Sequence, residues 1–443
     1  MRMAPNFTPF GAAKCLLILF FSLLPTTIIP SEIKESETSP PASLVYNVDC
    51  GCYKPPPPPP PPPKCPPPPP PVDPVIRRSI KAIRTFKKSI TSDPYNKTRT
   101  WVGNDLCINK KSYEGFFCYV PRGGDKKRVG GIYFNGFNFN GDRLSLNNFV
   151  ESFNELVVIH VNSNNFIRAP GVPVKNFPTL FELDLSNNNL AGAFPTSVLE
   201  ATNLTYLDLR FNMLTGPVHP QVFTLDLDAL FLNNNFFSGP LPDNLGSTPV
   251  FFLTLANNQF SGQIPPSIGN ASFLLEVLFL NNKLSGCLPY QIGLLKNSTV
   301  FDASINQLTG PIPQSFGCLE KLQILNLTSN HLYGAVPESL CKLKDLEELS
   351  LSSNYFTQIG PECRKLLETK VLDIDNNCIL DLPNQRSAQV CKEFFLHYQK
   401  CPDHKSMLYV PCDIDESPRK GGPHHPHKKQ KRGSSSTYAA LRP

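Results

Sequence analysis

The sequence predicts an α/β solenoid, a horseshoe of about 11 short coils with a disulfide-linked cap at each end and disordered flanks. Three observations predict it. The pattern L-x-L-x-x-N-x-L, or a close variant, returns eleven times at spacings of 23 to 27 residues. A Gly- and Pro-bearing segment follows many of the copies. Groups of cysteines flank the array on both sides.

The registers begin at Ile132, Ile159, Leu183, Leu207, Leu230, Leu253, Val277, Phe301, Leu325, Leu349 and Leu372. In L-x-L the apolar residues alternate with polar ones, which is strand periodicity. The leucines point into the stack and the residues between them face outward on the concave side. The Asn after each strand marks a turn, where its amide can pair with backbone groups that would otherwise be buried and unmatched. Asn164, Asn188, Asn212, Asn235, Asn258, Asn282, Asn306, Asn330, Asn354 and Asn377 form that ladder, with Phe137 in its place in the first register. A single coil buries too few side chains to offset the ordering of its backbone, so only stacking stabilises it. A period in the twenties with this consensus marks a leucine-rich-repeat solenoid. The segments Ser238-Gly239-Pro240-Leu241-Pro242, Ser261-Gly262-Gln263-Ile264-Pro265, Ser285-Gly286-Cys287-Leu288-Pro289 and Thr309-Gly310-Pro311-Ile312-Pro313 resemble the plant-specific class of that repeat.

The remaining elements follow in chain order. Residues 1–30, with Arg2 and Lys14 before an apolar run from Cys15 to Leu24, predict a secretory signal peptide; an uncleaved anchor is the alternative. Residues 31–74 hold two proline blocks, which predict a disordered segment of stiff polyproline character. Residues 75–131 predict a helical N-terminal cap, because Ile76, Ile80, Ile83, Phe86 and Ile90 recur at helical spacing across 75–100 among Arg77, Arg78, Lys81, Arg84, Lys87 and Lys88. Residues 132–380 are the solenoid, 381–412 a Cys-containing C-terminal cap, and 413–443 a disordered basic tail whose composition forms no core. No later stretch of 18 apolar residues predicts a membrane span.

An exported chain is expected to pair most of its cysteines. Removing Cys15 with the signal leaves thirteen of fourteen, an odd number. Cys107 with Cys118 is expected to clamp the first edge, and Cys378, Cys391, Cys401 and Cys412 the last. Cys318 and Cys341 lie at nearly the same place in adjacent coils, suited to a bond across one coil. Cys50, Cys52 and Cys65 lie in proline-rich sequence and are candidates for a bond between chains, giving a disulfide-linked homodimer. Sequons begin at Asn96, Asn203, Asn270, Asn297 and Asn326, and a glycan at Asn326 would stand on the concave face.

The chain's net charge of +6 conceals an asymmetry. Residues 132–380 carry 21 acidic and 12 basic side chains, near −9, so the flanks hold about +15. An acidic solenoid favours basic partners, and basic arms favour polyanions, for which an acidic wall polysaccharide such as pectin is a better candidate than nucleic acid. The outward positions offer Asp184, Tyr206, Asp208, Arg210, Phe231, Phe252, Glu276, Leu278, Leu280 and Asp302 as partner-binding candidates, with apolar groups rimmed by carboxylates. The plainer reading is that these apolar groups pack against one another along the sheet. No nucleophile with a base, no metal-ligand set and no phosphate loop is present, so neither catalysis nor a cofactor is expected.

The stretches Glu276-Val-Leu-Phe-Leu-Asn-Asn-Lys-Leu-Ser-Gly-Cys-Leu-Pro-Tyr290, Ser315-Phe-Gly-Cys318, Leu349-Ser-Leu-Ser-Ser-Asn-Tyr-Phe356, Gly360-Pro-Glu-Cys363, Leu382-Pro-Asn-Gln-Arg-Ser387 and Trp101-Val-Gly-Asn-Asp-Leu-Cys107 resemble the plant leucine-rich repeat extensins. No Ser-Pro array follows Cys412, so the chain is most similar to the shorter, extensin-less relatives. The resemblance implies a secreted cell-wall protein that binds a basic, Cys-rich signalling peptide of the rapid alkalinisation factor type. A polygalacturonase-inhibitor-like protein and a structural wall protein without a tight ligand are the alternatives.

Overall fold

The computed structural model describes residues 72–109, 111–167 and 178–412. The segment expected to be a signal peptide, the proline blocks, Cys50, Cys52, Cys65 and the basic tail lie outside the described residues.

All eleven registers become strands of one sheet. Ten successive strand pairs from Arg128–Tyr133 to Leu372–Asp373 are parallel and in register, so Ile159, Leu183, Leu207, Leu230, Leu253, Val277 and Phe301 stack one on the next. A twelfth strand, Phe116–Tyr119, pairs antiparallel with the first coil and covers its open edge. The inward leucines are fully buried, for example Leu207, Leu230 and Leu325 at 0% exposure.

The asparagine ladder does the work its position implies. The Asn188 amide donates to the carbonyls of Val161, Leu185 and Ser186 at 3.0, 3.1 and 2.9 Å, and its oxygen accepts the Phe166 N–H at 3.1 Å. Asn282, Asn306 and Asn330 repeat this four-bond pattern. One side chain therefore satisfies four backbone groups at a dry corner, where each unmatched group would cost about 1–3 kcal/mol. The residue before each ladder position has left-handed backbone, as at Asn187 (φ 50°), Asn257 (φ 52°) and Asn281 (φ 52°). Asn tolerates that region better than most residues, which explains the runs of two and three asparagines.

A second parallel sheet of eight strands, from Ala191–Ala193 to Tyr355–Gln358, lies beyond the ladder. The sequence marks it only by its glycines and prolines. Short 3₁₀ turns such as Pro266–Asn270 and Gln314–Cys318 then close most of the described coils, and the α-helices Glu338–Cys341 and Pro361–Glu368 take that place in two later ones.

The N-terminal helix runs Pro74–Lys87, shorter than the expected 75–100. Asp73 caps it by accepting the N–H groups of Val75 and Ile76, with Pro74 in the first turn. Beyond Lys88 the chain turns through Asp93-Pro94, where proline disfavours helix in the residue before it. Ile76, Ile80, Ile83 and Phe86 are buried, joining Trp101, Phe134, Phe139 and Phe149 in an aromatic plug.

Five disulfides join ten cysteines: Cys107–Cys118, Cys287–Cys401, Cys318–Cys412, Cys341–Cys363 and Cys378–Cys391. The expected bond between Cys318 and Cys341 is absent. Cys341 joins the next coil through Cys363, a residue with no role in the sequence reading, and Cys318 holds Cys412. The C-terminal segment thus runs back along the stack as a strap, reaching Cys287 four coils before the last. Gly310 (φ +89°) makes room for it, because a Cβ there would collide with the Cys401 sulfur.

Candidate partner-binding face

The outward rows of the larger sheet follow from its register. Glu182, Tyr206, Ala229, Phe252, Glu276, Val300, Ile324 and Glu348 form one row. His160, Asp184, Asp208, Phe231, Thr254, Leu278, Asp302, Asn326, Ser350 and Asp373 form the next. Neighbouring strands lie about 4.8 Å apart, so each row is a continuous track for an extended ligand.

The early coils hold a linked polar cluster. His160 Nε2 lies 2.9 Å from Glu182 Oε2, and the Asn162 amide donates to Asp184 Oδ2 at 2.7 Å. Asp184 also accepts the Ser186 hydroxyl at 2.6 Å. Asp208 has a side chain at 0% exposure. It accepts the Tyr206 hydroxyl at 3.2 Å, pairs with the Arg210 guanidinium at 2.9 Å and accepts the Arg210 N–H at 3.1 Å. Burial pushes the Asp208 carboxyl up to about 7, against the lowering effect of Arg210 and with Asp184 adding to the rise. Burial and the neighbouring carboxylates push the Tyr206 hydroxyl well above its ordinary value. Arg210 lies over the Phe231 ring at 5.1 Å, and Tyr206 meets that ring edge-on at 5.7 Å.

The middle coils are sparser. Phe231, Phe252 and Leu280 are half-buried, while Leu278 is buried at 8% exposure and Val300 at 2%. Leu278 and Val300 therefore pack along the sheet, as the plainer reading held. Asp302 is also buried, accepts the Ser304 hydroxyl at 2.6 Å, and is raised by burial. Glu276 is raised by burial alone. Past these, Glu348, Asp373 and Asp375 are exposed.

Four of the ten sequence-chosen residues, Asp184, Asp208, Leu278 and Asp302, thus lie beneath the surface. Tyr206, Arg210, Phe231, Phe252, Glu276 and Leu280 remain partly accessible. Only the register of adjacent coils brings His160, Glu182 and Asn162 into one cluster with Asp184. Of the sequons, Asn96, Asn203 and Asn270 are exposed and Asn297 is half-buried. Asn326 is half-buried on the outward row, donating to Asp302 Oδ2 at 3.3 Å. Among the described residues no helix is long and apolar enough to cross a membrane.

The Leucine Rich Repeat family pattern matches residues 179–200, 251–271, 321–343 and 345–366. Leucine-rich repeat extensin-like protein 1 of Arabidopsis thaliana is 40% identical over 163 residues, which are 37% of this chain and 21% of the relative. The chain thus matches about a fifth of the length of such relatives, and the resemblance to leucine-rich repeat extensins holds at that level. A plant ice-binding protein shares the fold at 23% identity and TM-score 0.54, covering 70% of this chain and 98% of the other. So does a plant peptide hormone receptor in complex with its hormone, at 24% identity and TM-score 0.51, covering 56% of this chain and 39% of the other.

Proposed function

We propose that this chain is a secreted plant cell-wall protein whose outward sheet rows bind a basic, Cys-rich signalling peptide of the rapid alkalinisation factor type. We further propose that its basic flanks associate with pectin. The observation that carries the peptide reading is the charge of the outward rows. At the outward strand positions Glu182 and Glu276 are half-buried and Glu348, Asp373 and Asp375 exposed, with Asp184, Asp208 and Asp302 buried beneath them, against Arg210 as the one arginine or lysine. A basic peptide laid along them gains long-range attraction as well as contact. Phe231, Phe252 and Leu280 supply apolar contacts between the acidic ends, and Tyr206 and Arg210 orient the peptide's polar groups. Asp184, Asp208, Asp302 and Leu278 support this surface from below.

The similarity to extensin-like proteins supports a wall location, and five disulfides fit an oxidising, extracellular compartment. The five sequons are the proposed glycosylation sites, and Cys50, Cys52 and Cys65 the proposed links to a second copy.

The experiment is calorimetric titration of the full chain with a basic Cys-rich peptide at two salt concentrations. Affinity should fall with added salt. Phe231→Ala with Phe252→Ala should weaken it at least tenfold without unfolding the chain. Unchanged affinity in that folded double variant would remove the sheet face from consideration. Inhibition of a polygalacturonase on mixing would favour the inhibitor reading instead.

A further inference from the structure

A groove of about 970 Å³ lies between the N-terminal helix and the first coil, and none of its lining residues is on the sheet face. One wall is a single helical stripe that includes Arg78, Lys81 and Thr85. The facing wall, from the loop at 141–152, includes Arg143, Asn148 and Ser152. The floor is the Phe86 and Phe149 pair, stacked at 4.1 Å.

The groove's three cations, Arg78 and Lys81 on the helix and Arg143 on the facing loop, differ from the other basic residues of the helix. Arg77 donates to the Val72 carbonyl at 3.4 Å, Arg84 to the Gly103 carbonyl at 2.7 Å and Lys87 to the Thr98 carbonyl at 2.5 Å. Arg78, Lys81 and Arg143 are exposed and form no ion pair among the described residues. Asp142 is the one acid in the lining. Glu151 is not part of the lining and accepts the Asn148 N–H at 2.9 Å. The groove therefore keeps an excess of positive charge on a chain whose coils are acidic.

The chemistry narrows the ligand. Arg78 and Lys81 are offset by about 4.5 Å along the helix axis, close to the length of one sugar unit. Arg143 faces them across the groove, so successive charges of a linear chain can be met from both walls. Thr85, Asn148 and Ser152 add hydroxyl and amide groups suited to sugar hydroxyls. Nucleic acid fits poorly, because the two phenyl rings are only 5% and 4% exposed and offer no face for base stacking.

We propose that this groove binds an acidic polysaccharide, with uronate carboxylates held by Arg78, Lys81 and Arg143. The inference rests on the wall-association reading above and gives it a site within the folded domain, separate from both the basic tail and the peptide-binding face.

The test uses the full chain and a de-esterified hexagalacturonate, with its methyl-esterified form as the uncharged probe. Three proteins are titrated: wild type, Arg78→Gln/Lys81→Gln/Arg143→Gln, and a variant with Lys428, Lys429, Lys431 and Arg432 changed to Gln. All three substituted positions in the groove are exposed, and an unchanged melting temperature confirms folding. The groove variant should bind the charged oligomer at least tenfold more weakly while the tail variant stays within twofold of wild type. The methyl-esterified oligomer should not bind. Wild-type affinity in the groove variant, with loss in the tail variant, overturns the groove and leaves wall association to the tail. Equal binding of a sulfated glycan overturns a carboxylate site in favour of unselective charge attraction. No binding by wild type overturns both.

Discussion

The two ends of the solenoid face the same physical problem and solve it differently. Each end coil exposes apolar side chains and unpaired strand groups that the next coil would otherwise cover. The N-terminal end is closed by burial: Trp101 is 1% exposed and Phe134 and Phe139 0%, with one disulfide spanning 11 residues of sequence. The C-terminal helix, Ala388–His397, buries no residue at all. Four disulfides secure that end, two of them spanning 114 and 94 residues. One cap is therefore an extension of the hydrophobic core. The other is a strap whose position depends on covalent bonds, and hence on an oxidising environment.

The largest expected effect tests the strap. Cys287→Ser with Cys401→Ser should cost about 4–5 kcal/mol by loss of loop constraint, against about 3 kcal/mol for Cys107→Ser with Cys118→Ser. Urea unfolding measures both. Trypsin should also cut the strap variant at Lys400 and Lys405 before any site in the coils. Equal losses at the two ends would erase the distinction. Trp101→Ala comes next, at about 3–5 kcal/mol, because it opens a cavity in the aromatic plug and leaves the Glu114 carbonyl without its indole N–H donor at 2.8 Å. A loss below 1 kcal/mol in the same assay would show that the N-terminal cap is not held by its core.

The coils between the caps respond to pH. The three carboxyls that burial raises, Asp208, Glu276 and Asp302, all stand on the larger sheet. Asp208 rises from 3.8 to about 7, so between those values the folded chain holds a proton that the unfolded chain has released. Stability therefore increases as pH falls from 7 toward 4, and this contribution is lost as pH rises through 7. Between pH 7 and 5 the gain is about 2 kcal/mol. Asp208→Asn should remove most of it while leaving the response to reductant unchanged. A melting temperature that stays flat over this range in wild type would contradict the burial of an ionisable Asp208.

The sequence made the stack legible because one physical constraint repeats eleven times. An apolar pair needs an interior, and an asparagine needs four backbone partners; Asn188 and Asn282 meet that need with the same bonds. The helix from Pro74 was legible through Ile76, Ile80 and Ile83, but its end was not, since hydrophobic spacing continues to Ile90 after the backbone has turned. Disulfide partners were least legible. Cys287 and Cys401 are 114 residues apart, and nothing local in either segment encodes their meeting. The partner face was half legible for a related reason. Period two says which side a residue faces, but not whether its neighbours bury it, and Leu278 and Asp208 face outward yet are covered.

The smallest expected effect examines the C-terminal helix itself. Phe394 stacks on Tyr355 with ring centroids 3.5 Å apart, and Arg386 lies 4.4 Å from the Tyr355 ring centroid. Such a contact adds about 0.5–1.5 kcal/mol beyond its area. With Cys378–Cys391 on one side and Cys287–Cys401 on the other, a freed ring has little room to leave, so Phe394→Ala should cost only about 1 kcal/mol in urea. In the Cys287→Ser/Cys401→Ser background the same substitution should act on a strap tethered less closely, and hydrogen exchange across 388–400 should speed up more than in either variant alone. Contacts on one element that share a constraint couple in this way. If instead the two changes add without coupling, the aromatic stack holds the helix independently of the sulfur bridges, and the C-terminal end is less unlike the N-terminal one than its burial indicates.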